Sequence, residues 1–167
     1  MTRSSRVSRA GNAAARLRDT EPEMRALKRS LPMTLLRARE AVMERFRAML
    51  RHNGLTEQQW RVIRVLAERE ALEVSQLAAH SFLLPPSLSR ILKFLSKKRL
   101  IRRRAVDDDQ RRFEVSLTAA GRRLFRQVAP SSEAIYRDLE QAFGEQRLEQ
   151  LYTLLSDFEQ TVTVGKK

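Results

Sequence analysis

The chain has 167 residues, roughly one domain's worth, with 42% hydrophobic residues and a formal net charge of +13. It has no cysteine, which excludes disulfides, thiolate metal sites and thiol redox sensing, and its two histidines, His52 and His80, lie too far apart for a helical metal-ligand pair. No apolar run reaches the roughly 18 residues of a membrane span, and the N-terminus has no apolar signal core, so a cytoplasmic protein with neither metal nor cofactor is expected.

In chain order, residues 1–29 are rich in Arg, Ser and Ala without a sustained apolar stripe, and read as a basic, disordered arm. Ser30 stands as an N-cap before Leu31 and Pro32. The stripe Leu36, Arg39, Met43, Phe46, Leu50 then predicts a helix, which Gly54 closes. Thr56 and Gln59 form a capping box for the next helix, with Trp60, Ile63, Leu66 and Ala67 on its apolar face. A short helix follows Ser75, carrying Leu77 and Ala78. After Leu84, Pro85 and Pro86 open a helix at residues 86–99, with Leu88, Ile91, Leu92 and Leu95 on one side.

The period then changes. Residues 101–106 predict a strand, Asp107 to Gln110 a polar turn, and Phe113, Val115 and Leu117 alternate as a half-buried strand, which makes one β-hairpin. Thr118 caps a long helix to about Phe143, and a last helix covers about residues 145–161, with Leu148, Leu151, Leu154, Leu155 and Phe158 apolar. The expected fold is mostly α with one β-hairpin. Five glycines and five prolines leave little material for more turns.

Charge is confined rather than spread. Residues 84–112 hold ten Lys/Arg against three Asp/Glu, and residues 1–30 hold eight against three; the rest is close to balance. That is the footprint of a polyanion binder. A short helix followed by a basic helix is a helix-turn-helix, whose second helix enters the DNA major groove by its N-terminal residues. Pro86 opens that helix, and Ser87 and Arg90 face away from its Leu88/Leu92 side. Arg90 can fork onto a guanine and Ser87 can bond a base edge. Ser89, Lys93, Lys97 and Lys98 suit phosphates. The competing reading is an amphipathic helix with a merely solvated basic face. Arg111 and Arg112 follow the Asp turn and suit a narrow minor groove; alternatively, arginines there only pair with acids such as Asp109.

The segment from Asp109-Gln110-Arg111 to Leu117-Thr118 resembles the D-x-R…L-T wing signature of MarR-type regulators. The stretch PPSLSRILKFLSKKRLI is similar to their recognition helix, and the resemblance spans residues 31–162. LLRAREAVMERFR and GLTEQQWRVIRVL are similar to one branch, the repressors of homoprotocatechuate (hydroxyphenylacetate) degradation. The arm at 1–29 is longer than that branch implies, and the wing lacks a tip glycine. The resemblance implies a winged helix-turn-helix at residues 55–118 and a helical dimerisation region at 30–54 and 119–162. It implies a homodimer on pseudo-palindromic double-stranded DNA. Apolar Leu35, Phe125, Leu151, Leu155 and Phe158 near both chain ends also ask for a common partner.

Arg39 falls on the first helix's apolar stripe. If buried, it needs a counter-charge, either an internal acid such as Glu40, or Glu44 of the partner subunit, or a ligand carboxylate. Trp60 can stack on an aromatic ring, and His52, Gln59 and Arg64 are polar candidates beside it. With the resemblance, these make a candidate site for a small aromatic carboxylate that releases DNA. The alternatives are a ligand-independent repressor, or an architectural or RNA-binding protein. An enzyme is disfavoured, since no phosphate loop or catalytic constellation occurs.

Overall fold

The computed structural model describes residues 26–106 and 109–164; at 106, 109–112 and 164 it describes backbone alone. The part of the expected arm at residues 1–25 lies outside the described residues, as do Asp107 and Asp108. The chain divides into two units, residues 1–41 and 42–167.

In the first unit a single 3-10 turn (Leu27–Arg29) precedes helix α1 (Leu31–His52). The Ser30 carbonyl accepts from the Thr34 N–H at 2.9 Å and from its hydroxyl at 3.0 Å, so Ser30 does stand at the helix start. Leu31, Leu35 and Leu36 are exposed. Arg39 is exposed too, and pairs with Glu40 at 2.5 Å. The burial expected from its place on the stripe is not found in the single chain, and Glu40 answers the charge.

The second unit holds the core. Phe46 and Leu50 of α1 are buried there, and Gly54, at φ +66°, ends the helix in a backbone conformation that glycine adopts without strain. Helix α2 (Glu57–Glu68) opens with the expected capping box: Thr56 Oγ1 accepts from the Gln59 N–H, and Gln59 Oε1 accepts from the Thr56 N–H. Then come β1 (Ala71–Glu73), α3 (Val74–Ser81), α4 (Pro85–Lys97), β2 (Ile101–Val106), β3 (Asp109–Leu117), α5 (Ala119–Phe143) and α6 (Glu145–Val164).

Ile63, Leu66, Leu77, Leu88, Leu95 and Val115 are fully buried and tie α2, α3, α4 and the sheet into one core. Each contributes roughly 1.5–3 kcal/mol through burial. The predicted hairpin is two-thirds of a three-stranded antiparallel sheet of order β1-β3-β2. Its third member pairs Leu72 with Val115, which buries Leu72. The polar turn is also shorter than expected. Asp109 and Gln110 belong to β3, with Asp109 opposite Val106. The next partners are Ala105 and Phe113, so residues 110–112 bulge without a counterpart on β2.

Candidate DNA interface and effector site

Helix α4 starts one residue earlier than expected, with Pro85 at its first position and Pro86 next. Proline fits there because the first helical N–H groups have no partner to lose. Its buried face is Leu88, Ile91, Leu92 and Leu95, which fixes the opposite face outward. On that face Ser89, Arg90, Lys93 and Lys97 are exposed, and Ser87 is half-buried. Lys98 caps the C-terminus with its ammonium 6.0 Å from the Phe94 ring centre. A rigid helix thus presents a row of cations, and none of Arg90, Lys93 and Lys97 has an ion pair among the described residues.

Helix α3 is locked behind it. The Glu73 N–H donates to Gln76 Oε1 at 3.1 Å at its start, and Arg61 of α2 donates to the Ser81 carbonyl at 3.1 Å at its end. The wing adds charge that the residue-by-residue reading did not single out. Arg102, Arg103 and Arg104 of β2 are exposed, and Arg102 Nε donates to Ser116 Oγ at 3.0 Å across the sheet. Arg111 and Arg112 sit on β3; their side chains, and that of Asp109, are outside the described residues.

A second cluster forms where α2 meets α5. Trp60 and Arg64 lie one turn apart on α2. The Trp60 indole stacks on Phe125 at 5.6 Å between ring centres and 22° between planes. Arg64 donates to the Tyr136 hydroxyl at 3.0 Å, and Phe46 meets the Tyr136 ring edge-on at 5.2 Å. Among the described residues, Trp60 Nε1 is buried without a hydrogen-bond partner. An unsatisfied buried N–H costs about 1–3 kcal/mol, so its persistence calls for an acceptor. Burial, then Tyr136, Glu149 and Glu140, raise the Tyr152 phenol pKa above its ordinary value.

The sequence-predicted ligand residues do not all meet here. Trp60 and Arg64 do, joined by Phe46, Phe125 and Tyr136, which sequence reasoning did not place in the site. Gln59 uses its side-chain oxygen on the Thr56 cap, and His52 is exposed at the end of α1. Arg39 belongs to the other unit. Sharing Phe125 with this cluster, a cleft of about 220 Å³ is lined by Ala67, Leu117, Arg122, Phe125 and Arg126, none of them a predicted ligand residue. Among the described residues no group of three or more His, Asp or Glu could hold a metal, and no helix is long and apolar enough to cross a membrane.

A short helix, a turn, a basic helix and a basic three-stranded wing define a winged helix-turn-helix protein. The profile of the MarR family matches residues 53–112. The homoprotocatechuate degradative operon repressor of Escherichia coli is 39% identical over 129 residues, covering 77% of this chain and 87% of that protein. The crystal structure of the transcriptional regulator PA4135 is 42% identical at a TM-score of 0.76, covering 78% of this chain and 96% of the other. That of NadR in complex with 4-hydroxyphenylacetate is 35% identical at 0.70, covering 83% and 96%. The chain belongs to the MarR family of DNA-binding transcriptional regulators, which are not enzymes.

Proposed function

We propose that the protein is a cytoplasmic homodimeric repressor, that it grips a pseudo-palindromic operator, and that a small aromatic carboxylate releases it. Helix α4 reads the major groove through Ser87 and Arg90, while Ser89, Lys93, Lys97 and Lys98 hold phosphates. The wing arginines, Arg111 and Arg112 with Arg102 to Arg104 behind them, lie along the minor groove. The dimer is supported by helix α6, which buries none of its described residues and leaves Leu151, Leu154, Leu155 and Phe158 exposed.

The observation that carries the effector reading is the Trp60–Arg64–Tyr136 cluster. It offers an unsatisfied indole N–H, a half-buried guanidinium and aromatic walls. A carboxylate fits the guanidinium fork, and an aryl ring fits the walls. The similarity to NadR, whose complex holds 4-hydroxyphenylacetate, points to the same ligand class. Binding there loosens DNA by favouring a spacing of the two α4 helices that the operator does not match.

Isothermal titration of 4-hydroxyphenylacetate and 3,4-dihydroxyphenylacetate against wild type, Arg64→Ala and Arg39→Ala tests the site. Loss of a charged hydrogen bond of about 1.5–3 kcal/mol predicts roughly 10- to 100-fold weaker binding for Arg64→Ala. Arg39, already paired with Glu40, is expected to matter less. Equal affinity in wild type and Arg64→Ala removes Arg64 from the site. Absence of binding by either acid leaves the ligand-independent repressor as the better reading.

A further inference from the structure

The turn between α3 and α4 is built around one anchor. Leu83 is buried, and its N–H donates to the Ala78 carbonyl at 3.1 Å. Its two neighbours are thereby thrown outward: Phe82 is 78% exposed and Leu84 is 75% exposed. Phe82 also has a left-handed backbone, at φ +49°, which disfavours any residue with a Cβ. Two unfavourable features therefore coincide at one residue, a strained backbone and a phenyl ring in water. The left-handed backbone closes α3, with the Phe82 N–H donating to the Ala79 carbonyl at 3.2 Å, so the turn accounts for the backbone and the exposed ring is what the fold leaves unused.

The next two residues are the exposed Pro85 and Pro86. From Phe82 to Pro86, no side chain carries a hydrogen-bond donor or acceptor. This apolar tip leads the helix whose exposed face carries Arg90, Lys93 and Lys97. An apolar protein surface is a poor match for that row of cations, which has no ion pair among the described residues, whereas DNA supplies the opposite charge. Among major-groove base edges, the apolar feature is the thymine C5-methyl group. We propose that Phe82 and Leu84 form an apolar contact that selects thymine methyls beside the base read by Arg90. The inference rests on α4 being the reading helix.

The test begins with duplexes selected from a random pool by binding to the full chain. Each thymine of the selected duplex is then replaced by deoxyuridine, which removes the methyl and nothing else. Affinities are measured by fluorescence anisotropy for wild type, Leu84→Ala, Phe82→Gly and Arg90→Ala. At one or two positions per half-site, deoxyuridine should weaken wild-type binding about fourfold, the burial of one methyl-sized group. Leu84→Ala or Phe82→Gly should lose that discrimination at the same positions. Phe82→Gly should melt no lower than wild type, because glycine accepts the left-handed backbone, so its loss is not unfolding. Wild-type affinity indifferent to every deoxyuridine overturns the inference, and so does full discrimination retained in both variants. In either of those cases, Arg90→Ala showing a reduced specific-to-random ratio leaves α4 as the reading helix. An unchanged ratio in Arg90→Ala overturns the placing of α4, and the thymine contact with it.

Discussion

Arg39 and Arg64 both stand on or beside an apolar helical stripe in the sequence, and the structure treats them differently. Arg39 lies in water beside Glu40, whereas Arg64 is half-buried and reaches Tyr136. The Trp60–Arg64 pair is legible from the sequence because helical spacing alone places the two on one face. Tyr136 is not, because it lies 72 residues further on and belongs to the same apolar pattern as the core of α5. Tyr136→Phe keeps the ring against Phe46 and removes only the hydroxyl. We expect a loss of about 0.5–1.5 kcal/mol in 4-hydroxyphenylacetate affinity, the worth of one hydrogen bond, with little change in melting temperature. Calorimetric titration and a thermal melt of the same sample check both. A variant that binds as wild type does would leave the Arg64–Tyr136 bond a structural link only.

The joints between elements set the wing on the core. Thr118 Oγ1 donates to the Arg99 carbonyl at 2.7 Å and accepts from the Gly121 N–H at 3.1 Å, so one residue both caps α5 and ties it to the loop after α4. Gly121 is buried, and a methyl group there would run into the Leu100 carbonyl. Gly121→Ala should therefore destabilise the fold by about 1–3 kcal/mol, read as a lower denaturation midpoint in urea. An unchanged midpoint would mean that α5 can shift at no cost. Helix boundaries were legible to within a residue or two at α2, α4 and α5, where caps and prolines mark them. Strand β1 was not: three residues, Ala71–Glu73, are too few to show an alternation, and only β3 makes them a strand. On α4 itself, Lys97→Ala should weaken all duplexes alike, whereas Arg90→Ala should cost about 1–3 kcal/mol on the selected sequence. Competition assays with random duplex separate the two effects.

At the scale of the whole molecule, charge and apolar surface divide the labour. The excess of seven positive charges at residues 84–112 (ten basic against three acidic) falls in the stretch that builds α4 and the wing, while α6, besides the apolar tip at Phe82 and Leu84, carries exposed apolar residues. Removal of the chain from Glu145 onward should abolish the dimer or cause aggregation, as sedimentation would show. A soluble dimer that still bound DNA would place the interface elsewhere. Binding to duplex DNA should fall steeply with salt, with a log–log slope near −0.9 per phosphate contact and roughly 6–10 contacts for two subunits. Effector-driven release is tested most directly by following labelled operator duplex by fluorescence anisotropy while 4-hydroxyphenylacetate is titrated into its complex with the protein. Wild type should let go of the duplex and Arg64→Ala should hold it. Wild type still bound at saturating 4-hydroxyphenylacetate, or release that is the same in both proteins, would contradict effector-driven release through Arg64.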